Sequence, residues 1–244
     1  MLSMEHLTPL RASRPVRTMF FDAGNTLLRM NYEVLAEQLR VRGCAVALER
    51  VREAEWRARV RLDAHFAPGT STESRSTSGR YLQYLLEGLG VTDEETVRSM
   101  AEWRRTYNLP VGLWHQADPE AEAALTLLAG RGIRAAVISN SNGSVRSILT
   151  ELGLARHLEF VLDSAEVGVE KPDPRIFRIA LERAQVEPDD AVYVGDLYSV
   201  DVLGARAAGM DAVLLDPGAC WGPRDCPQVP GLLAACRLVI QRGA

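Results

Sequence analysis

A handful of residues stand where a buried run gives way to a turn, and their types suggest chemistry. Asp22 follows the apolar run Arg17–Phe21 and precedes Gly24 and Asn25, which mark a sharp turn. A carboxylate at a strand tip can attack an electrophile bound outside the sheet, although an Asp before a Gly-Asn turn is often only a turn residue. Asp196 closes the run AVYVGD, and Asp201 comes five residues later at the start of a helical pattern. Each has a plain reading, in a turn or in a first helical turn, but two carboxylates converging on one sheet edge repel unless a cation joins them. An all-oxygen site suits magnesium.

Ser139 and Asn140 leave the run AAVIS in the same way. Ser139 either caps the next helix or, with the Asn140 backbone N–H, holds an anionic oxygen. Lys171 is the single Lys among 28 basic residues. In a chain that otherwise chooses Arg, this position points to a compact ammonium placed between a carboxylate and a phosphate, where a planar fork does not fit.

These residues need strands to carry them. Apolar runs at Arg17–Phe21, Ile133–Ile138, His157–Leu162, Ala191–Val194 and Asp211–Leu215 read as buried strands. Between the later ones lie helical patterns at Asp118–Ala129, Ser144–Leu152, Pro174–Ala184 with Asp173 as cap, and Ser199–Ala208. Such alternation predicts an α/β fold with a doubly wound, Rossmann-like parallel sheet covered on both faces. From Asn31 to His115 there is no convincing strand but four helix candidates: Asn31–Val41, Leu48–Phe66, Ser78–Leu89 and Asp93–Tyr107, the last with a Thr92/Glu95 capping box. The expected organisation is an N-terminal extension (1–16), an α/β core (17–30 and 116–244) and an inserted helical domain (31–115). The polar stretch Pro68–Gly79 reads as a loop, either facing a substrate or simply solvated, and Pro217–Pro230 reads as a second loop.

Composition narrows the function classes. The formal charge of -4 offers no global attraction to nucleic acid or anionic lipid. The longest run without Asp, Glu, Lys or Arg is the twelve residues Thr106–Ala117, short of the roughly 18 to 20 apolar residues of a membrane span. No secretory signal is read at the N-terminus, so a cytoplasmic location is expected. The four cysteines form no C-x-x-C pair and read as free thiols.

In order, strand-Asp22, strand-Ser139, Lys171-Pro172 and Gly195-Asp196-x(4)-Asp201, with a helical insertion after the first, resemble the haloacid dehalogenase-like (HAD) hydrolases, in the branch whose helical cap follows strand one. The resemblance runs from Arg17 to about Leu215. It implies Asp22 as a nucleophile that forms an aspartyl intermediate, with Lys171 beside it. It also implies Ser139, Asn140 and Lys171 as holders of the substrate's anionic oxygens, and magnesium placed by Asp22, Asp196, Asp201 and the Gly24 carbonyl. The implied partner is a small phosphorylated molecule.

The sequence departs from the pattern at Gly24. Most phosphatases of this family carry a second Asp there, which protonates the leaving oxygen and then activates water. Three readings therefore stay open: a magnesium-dependent phosphatase of reduced competence, a degenerate member that binds a phosphorylated ligand, and a 2-haloacid dehalogenase. A Schiff-base route is closed, since the inserted segment contains no Lys. Trp114, His115, Arg75 and Arg80 are candidates to face the pocket, although a Trp at a junction usually packs and such arginines are usually solvated.

Overall fold

The computed structural model describes residues 10, 15–66, 70–107 and 112–242. Most of the expected N-terminal extension, and Pro68 and Gly69 of the polar stretch, lie outside the described residues.

The main sheet has six strands, β1 (Thr18–Phe21), β4 (Arg134–Ser139), β5 (Val161–Asp163), β6 (Ala191–Gly195), β7 (Asp211–Leu215) and β8 (Gln228–Val229), in the order β5-β4-β1-β6-β7-β8. Every pairing in it is parallel. Side chains alternate strictly between faces. Met19, Phe21, Val137, Val194 and Val213 pack on α5 (Ala121–Ala129), α6 (Val145–Glu151) and α10 (Leu232–Arg242). Phe20, Ile138, Tyr193 and Leu214 pack on α8 (Pro174–Ala184) and α9 (Leu203–Ala207). Two buried faces explain why the strands read as continuous apolar runs, and each fully buried large side chain contributes about 1.5–3 kcal/mol.

The order of the strands sets the site. From β1 the chain goes to β4 and β5 on one side, then to β6, β7 and β8 on the other. The crevice at that reversal opens beyond the carboxyl ends of β1, β4 and β6.

A second, two-stranded antiparallel sheet pairs β2 (Leu28–Arg29) with β3 (Gln116–Ala117). Between them lie α1 (Tyr32–Val41), α2 (Leu48–Asp63), α3 (Arg75–Leu89) and α4 (Glu94–Tyr107). These helices share an apolar cluster of their own, with Leu35, Leu39, Val51, Ala58, Leu85 and Met100 among its buried members. Asn31 caps α1 by accepting from Val34 N, and Asp173 caps α8.

Several expectations need correction. His157 closes a 3-10 turn (Leu154–His157), so the strand expected from it begins only at Val161. Asp93, and not Thr92, accepts from the Thr96 backbone at the start of α4. Helix α3 starts at Arg75 under the Ser74 cap, so the end of the polar stretch is helical. The Ser199–Ala208 helix divides into a π turn (Tyr198–Val202) and α9. Gln228–Val229 within the expected Pro217–Pro230 loop pairs with β7.

Candidate active site

Asp22 leaves β1 with its backbone N–H donating to the Val194 carbonyl of β6. Three residues on, Asn25 takes a left-handed conformation (φ 53), which an Asn tolerates better than most side chains. Gly24 does not share it, since its φ lies outside the left-handed region.

Lys171 is 2% exposed, and its ammonium donates to three acceptors: Asp22 Oδ1 at 2.7 Å, Asp201 Oδ1 at 2.8 Å and the Tyr193 hydroxyl at 2.8 Å. Three donors meet three acceptors around one nitrogen, an arrangement open to an ammonium and closed to a planar guanidinium. This geometry accounts for the lone Lys of the chain. Burial alone would lower its pKa, but Asp201 and Asp22 outweigh burial and hold the ammonium charged.

Asp201 is 1% exposed, and its second oxygen accepts from the backbone N–H groups of Asp196 (3.0 Å) and Leu197 (2.9 Å). A Cβ on Gly195 would run into this carboxylate, so the glycine before Asp196 is required by the close approach. Asp22, Asp196 and Asp201 present carboxylate oxygens that all lie within 4.8 Å of one another. Burial raises the Asp22 carboxyl to about 6, against the pull of Lys171. Burial also pushes Asp196 well above the usual carboxylate range.

Ser139 and Asn140 both line the crevice. Ser139 does not cap α6, and its hydroxyl lies 3.3 Å from the Asn140 carbonyl. The Asn140 side chain is engaged elsewhere: its Oδ1 accepts from Lys171 N at 2.7 Å, and its Nδ2 donates to Lys171 O and to Thr72 Oγ1, both at 2.9 Å. It therefore fixes the main chain that carries the lysine, while its backbone N–H is the part of it expected to meet an anion.

The inserted helices supply the opposite wall, and sequence reasoning missed most of it. Arg59 of α2 forks onto Glu55, with Nε at 2.9 Å and Nη2 at 2.5 Å, and its Nη1 lies 3.3 Å from Asp196 Oδ2 without a hydrogen-bond partner among the described residues. Tyr32 and Tyr81 also donate to Glu55. Glu55 and Arg59 are spaced i, i+4 on a helix, which normally reads as a solvated pair; both are buried. Asn25 links the two walls: its Nδ2 donates to Tyr81 Oη at 3.3 Å and Asp196 Oδ2 at 3.4 Å, and its Oδ1 accepts from Trp114 Nε1 at 2.8 Å.

Trp114 faces the site, against the packing role expected for it. Its indole stacks on Tyr81 (centroids 5.8 Å, 11°) and occupies the space beside Gly24, where a Cβ would meet Trp114 Cδ1 at 3.6 Å. His115 instead bonds Asn31 and the Gly112 carbonyl, and Arg75 and Arg80 are exposed outside the cavity lining. Thr72, Glu73, Thr77 and Ser78 line the cavity, so these four residues of the polar stretch face the site. Glu73 is reachable by water but enclosed by protein, and that enclosure, with Glu170 and Asp22 nearby, raises its carboxyl to about 7. The cavity has a volume of about 220 Å³.

A carboxylate beside a fixed ammonium and two further carboxylates, at the switch point of a doubly wound sheet, is an arrangement that can support nucleophilic chemistry. Comparison with known proteins places the chain among hydrolases. Residues 16–209 match the haloacid dehalogenase-like hydrolase profile. The chain is 36% identical over 208 residues to haloacid dehalogenase-like hydrolase domain-containing protein 3 of Homo sapiens, covering 82% of each. It is 48% identical over 101 residues to a phosphoserine phosphatase of Thermus thermophilus, covering 41% of each. A crystal structure of 2-haloacid dehalogenase from Pseudomonas syringae pv. Tomato DC3000 superposes with a TM-score of 0.56 at 28% identity, covering 93% of this chain and 99% of that one. With the profile spanning most of the chain and the strand-tip carboxylates in its expected order, the protein belongs to the haloacid dehalogenase-like hydrolase family.

Proposed function

We propose that this protein is a magnesium-dependent phosphatase of a small phosphorylated molecule, with Asp22 as the nucleophile. The observation that carries the reading is the cluster of Asp22, Asp196 and Asp201 oxygens within 4.8 Å of one another. A dehalogenase needs no cation there, because a halide leaves without protonation. The donor set fits magnesium, being made of hard oxygens. Four buried carboxylates, Asp22, Asp196, Asp201 and Glu55, meet only two cations, Lys171 and Arg59, among their ion-pair partners in the described residues, and a divalent cation would balance the surplus. Asp22, Asp196 and Asp201, with the Gly24 carbonyl, would hold the ion, which supplies charge neutralisation to the transferring phosphoryl group.

Asp22 attacks phosphorus as the bond to the leaving oxygen breaks, giving an aspartyl-phosphate and an alcohol that takes its proton from solvent. Water then attacks the same phosphorus and releases phosphate and the free carboxylate. Lys171 holds Asp22 in place and stabilises the charge on the phosphoryl oxygens, with Ser139 and the Asn140 backbone N–H as further donors. The phosphoserine phosphatase among the relatives supports phosphoryl chemistry.

Gly24 favours a second reading. With the Trp114 indole beside it, no acid stands at that position to protonate an alkoxide, which suits a leaving group that departs as an anion, as from a 2-haloacid. Magnesium separates the two. Nitrophenyl phosphate is expected to be hydrolysed with magnesium and not with a chelator, Asp196→Ala is expected to lose the magnesium-supported activity, and Asp22→Asn is expected to lose about 10⁴-fold or more in kcat. Chelator-resistant release of halide from 2-chloropropionate, without phosphatase activity, would replace this reading with the dehalogenase one.

A further inference from the structure

Arg104, in the last turn of α4, is 6% exposed and lines the same cavity. Buried arginines are paired as a rule, because an uncompensated buried charge costs several kcal/mol. Arg59 follows the rule through Glu55, and Arg104 does not. Among the described residues no carboxylate lies within 4.0 Å of it, its Nη1 makes one hydrogen bond, to the Ser78 carbonyl at 2.9 Å, and its Nε has no partner. Burial pulls the guanidinium down to about 10, which leaves it charged at neutral pH.

Its neighbours hold it without neutralising it. The Arg104 Cζ lies 5.9 Å from the Tyr81 ring centroid and 5.6 Å from that of Trp114. Trp114 is the ring that flanks Gly24 and bonds Asn25 in the turn after Asp22. Arg104 therefore stands one indole beyond the nucleophile turn, on the side of the cavity where the alcohol portion of a substrate would lie. Glu73, on the wall of the same cavity, influences it electrostatically but lies outside ion-pair distance.

We propose that Arg104 is a substrate-recognition residue, and that the protein acts on phosphomonoesters whose alcohol carries a carboxylate, which docks on the Arg104 guanidinium while the phosphoryl group lies at Asp22. The choice of substrate class rests on the phosphatase reading. A carboxylate supplies the bidentate partner the fork lacks, and aromatic side chains around it exclude the water that would weaken the pair. It also explains why a cation is kept among aromatic rings at a site that already has two others.

The test compares 2-carboxyethyl phosphate with propyl phosphate, which differ at the carboxylate end. The wild type is expected to prefer the carboxylated ester through a lower KM. Arg104→Gln, which retains a donor for Ser78, is expected to lose about 10- to 100-fold more kcat/KM on that ester than on propyl phosphate, with the loss in KM, and Arg104→Lys to recover part of it. Equal losses on both esters, or an unchanged ratio in a variant that melts as the wild type does, would make Arg104 a clamp between α3 and α4 and overturn the proposal. Absence of turnover on every phosphomonoester would sink the phosphatase reading instead. Binding then decides: 3-phosphonopropionate should raise the melting temperature of the wild type more than propylphosphonate does, and Arg104→Gln should lose the difference. Equal shifts in the wild type would overturn the carboxylate assignment.

Discussion

Lys171 and Arg104 are both buried cations in one cavity, and they are satisfied in opposite ways. Lys171 spends all three of its donors on protein acceptors, two of them carboxylates. Arg104 has one carbonyl and two aromatic rings. The sheet end of the cavity carries surplus negative charge, and the helical end a positive one that no carboxylate of the described residues pairs with. A site so divided is complementary to a ligand with a cation at one end and an anion at the other, which is how magnesium and a carboxylated phosphate would lie.

Breaking the satisfied end has the largest expected effect on stability. Lys171→Ala leaves Asp22 and Asp201 buried without their shared counter-charge, and a loss of about 3–5 kcal/mol is expected in urea unfolding without metal. Lys171→Arg is expected to be nearly as damaging to phosphate or vanadate binding, because three acceptors grouped around one nitrogen do not match a planar fork. Native vanadate affinity in the Arg variant would refute this account of the lone Lys.

Gly24 tests the boundary between the two ends. Its backbone is free of left-handed strain, and an added Cβ meets Trp114 at an ordinary contact distance of 3.6 Å. Gly24→Asp is therefore expected to fold and to raise turnover of alkyl phosphates by about 10-fold, while nitrophenyl phosphate, whose leaving group needs little protonation, gains less. No gain on alkyl phosphates in a folded variant would show that the missing proton is not what limits the wild type.

The smallest expected effect is a pH dependence at the sheet end. The Asp22 carboxyl lies at about 6 in the folded chain against 3.8 ordinarily, so the native state binds this proton more tightly than the unfolded state does. Its contribution to stability without metal is accordingly present below about pH 4 and lost as the pH rises through 6. A cation competes with that proton, so the rise in melting temperature produced by magnesium should be full above about pH 6 and fade below it. A magnesium shift that stays constant from pH 5 to 8, by differential scanning fluorimetry, would remove Asp22 from the ligand set.

Much of the sheet end was legible in the sequence. Asp211–Leu215 reads as a strand with the bounds observed, and Asp22, Asp196, Asp201 and Lys171 meet as their strand-tip positions suggest, because each follows or faces a run buried on both sides. Two-residue strands such as Leu28–Arg29 are too short for periodicity to register. The helical end was largely illegible for a different reason. Glu55, Arg59, Tyr81 and Arg104 sit on helices at spacings that solvated faces also show, and only the opposing wall makes them buried. Trp114 follows a glycine-containing connection that no pattern could orient. Tyr193 carried a usable signal, as a hydroxyl inside an apolar strand must find a partner, and it finds Lys171.

Asn140 has a mechanical consequence. One amide grips the Lys171 peptide on both its N–H and its C=O, and the same Nδ2 also holds Thr72 at the rim. Ser71, next in the chain, is tied to Glu170, the neighbour of Lys171. The rim and the strap that carries the ammonium are thus pinned to each other at two adjacent points. Thr72 cannot swing outward without either snapping this latch or dragging the strap with it, so widening the mouth and loosening the grip on Asp22 are one displacement.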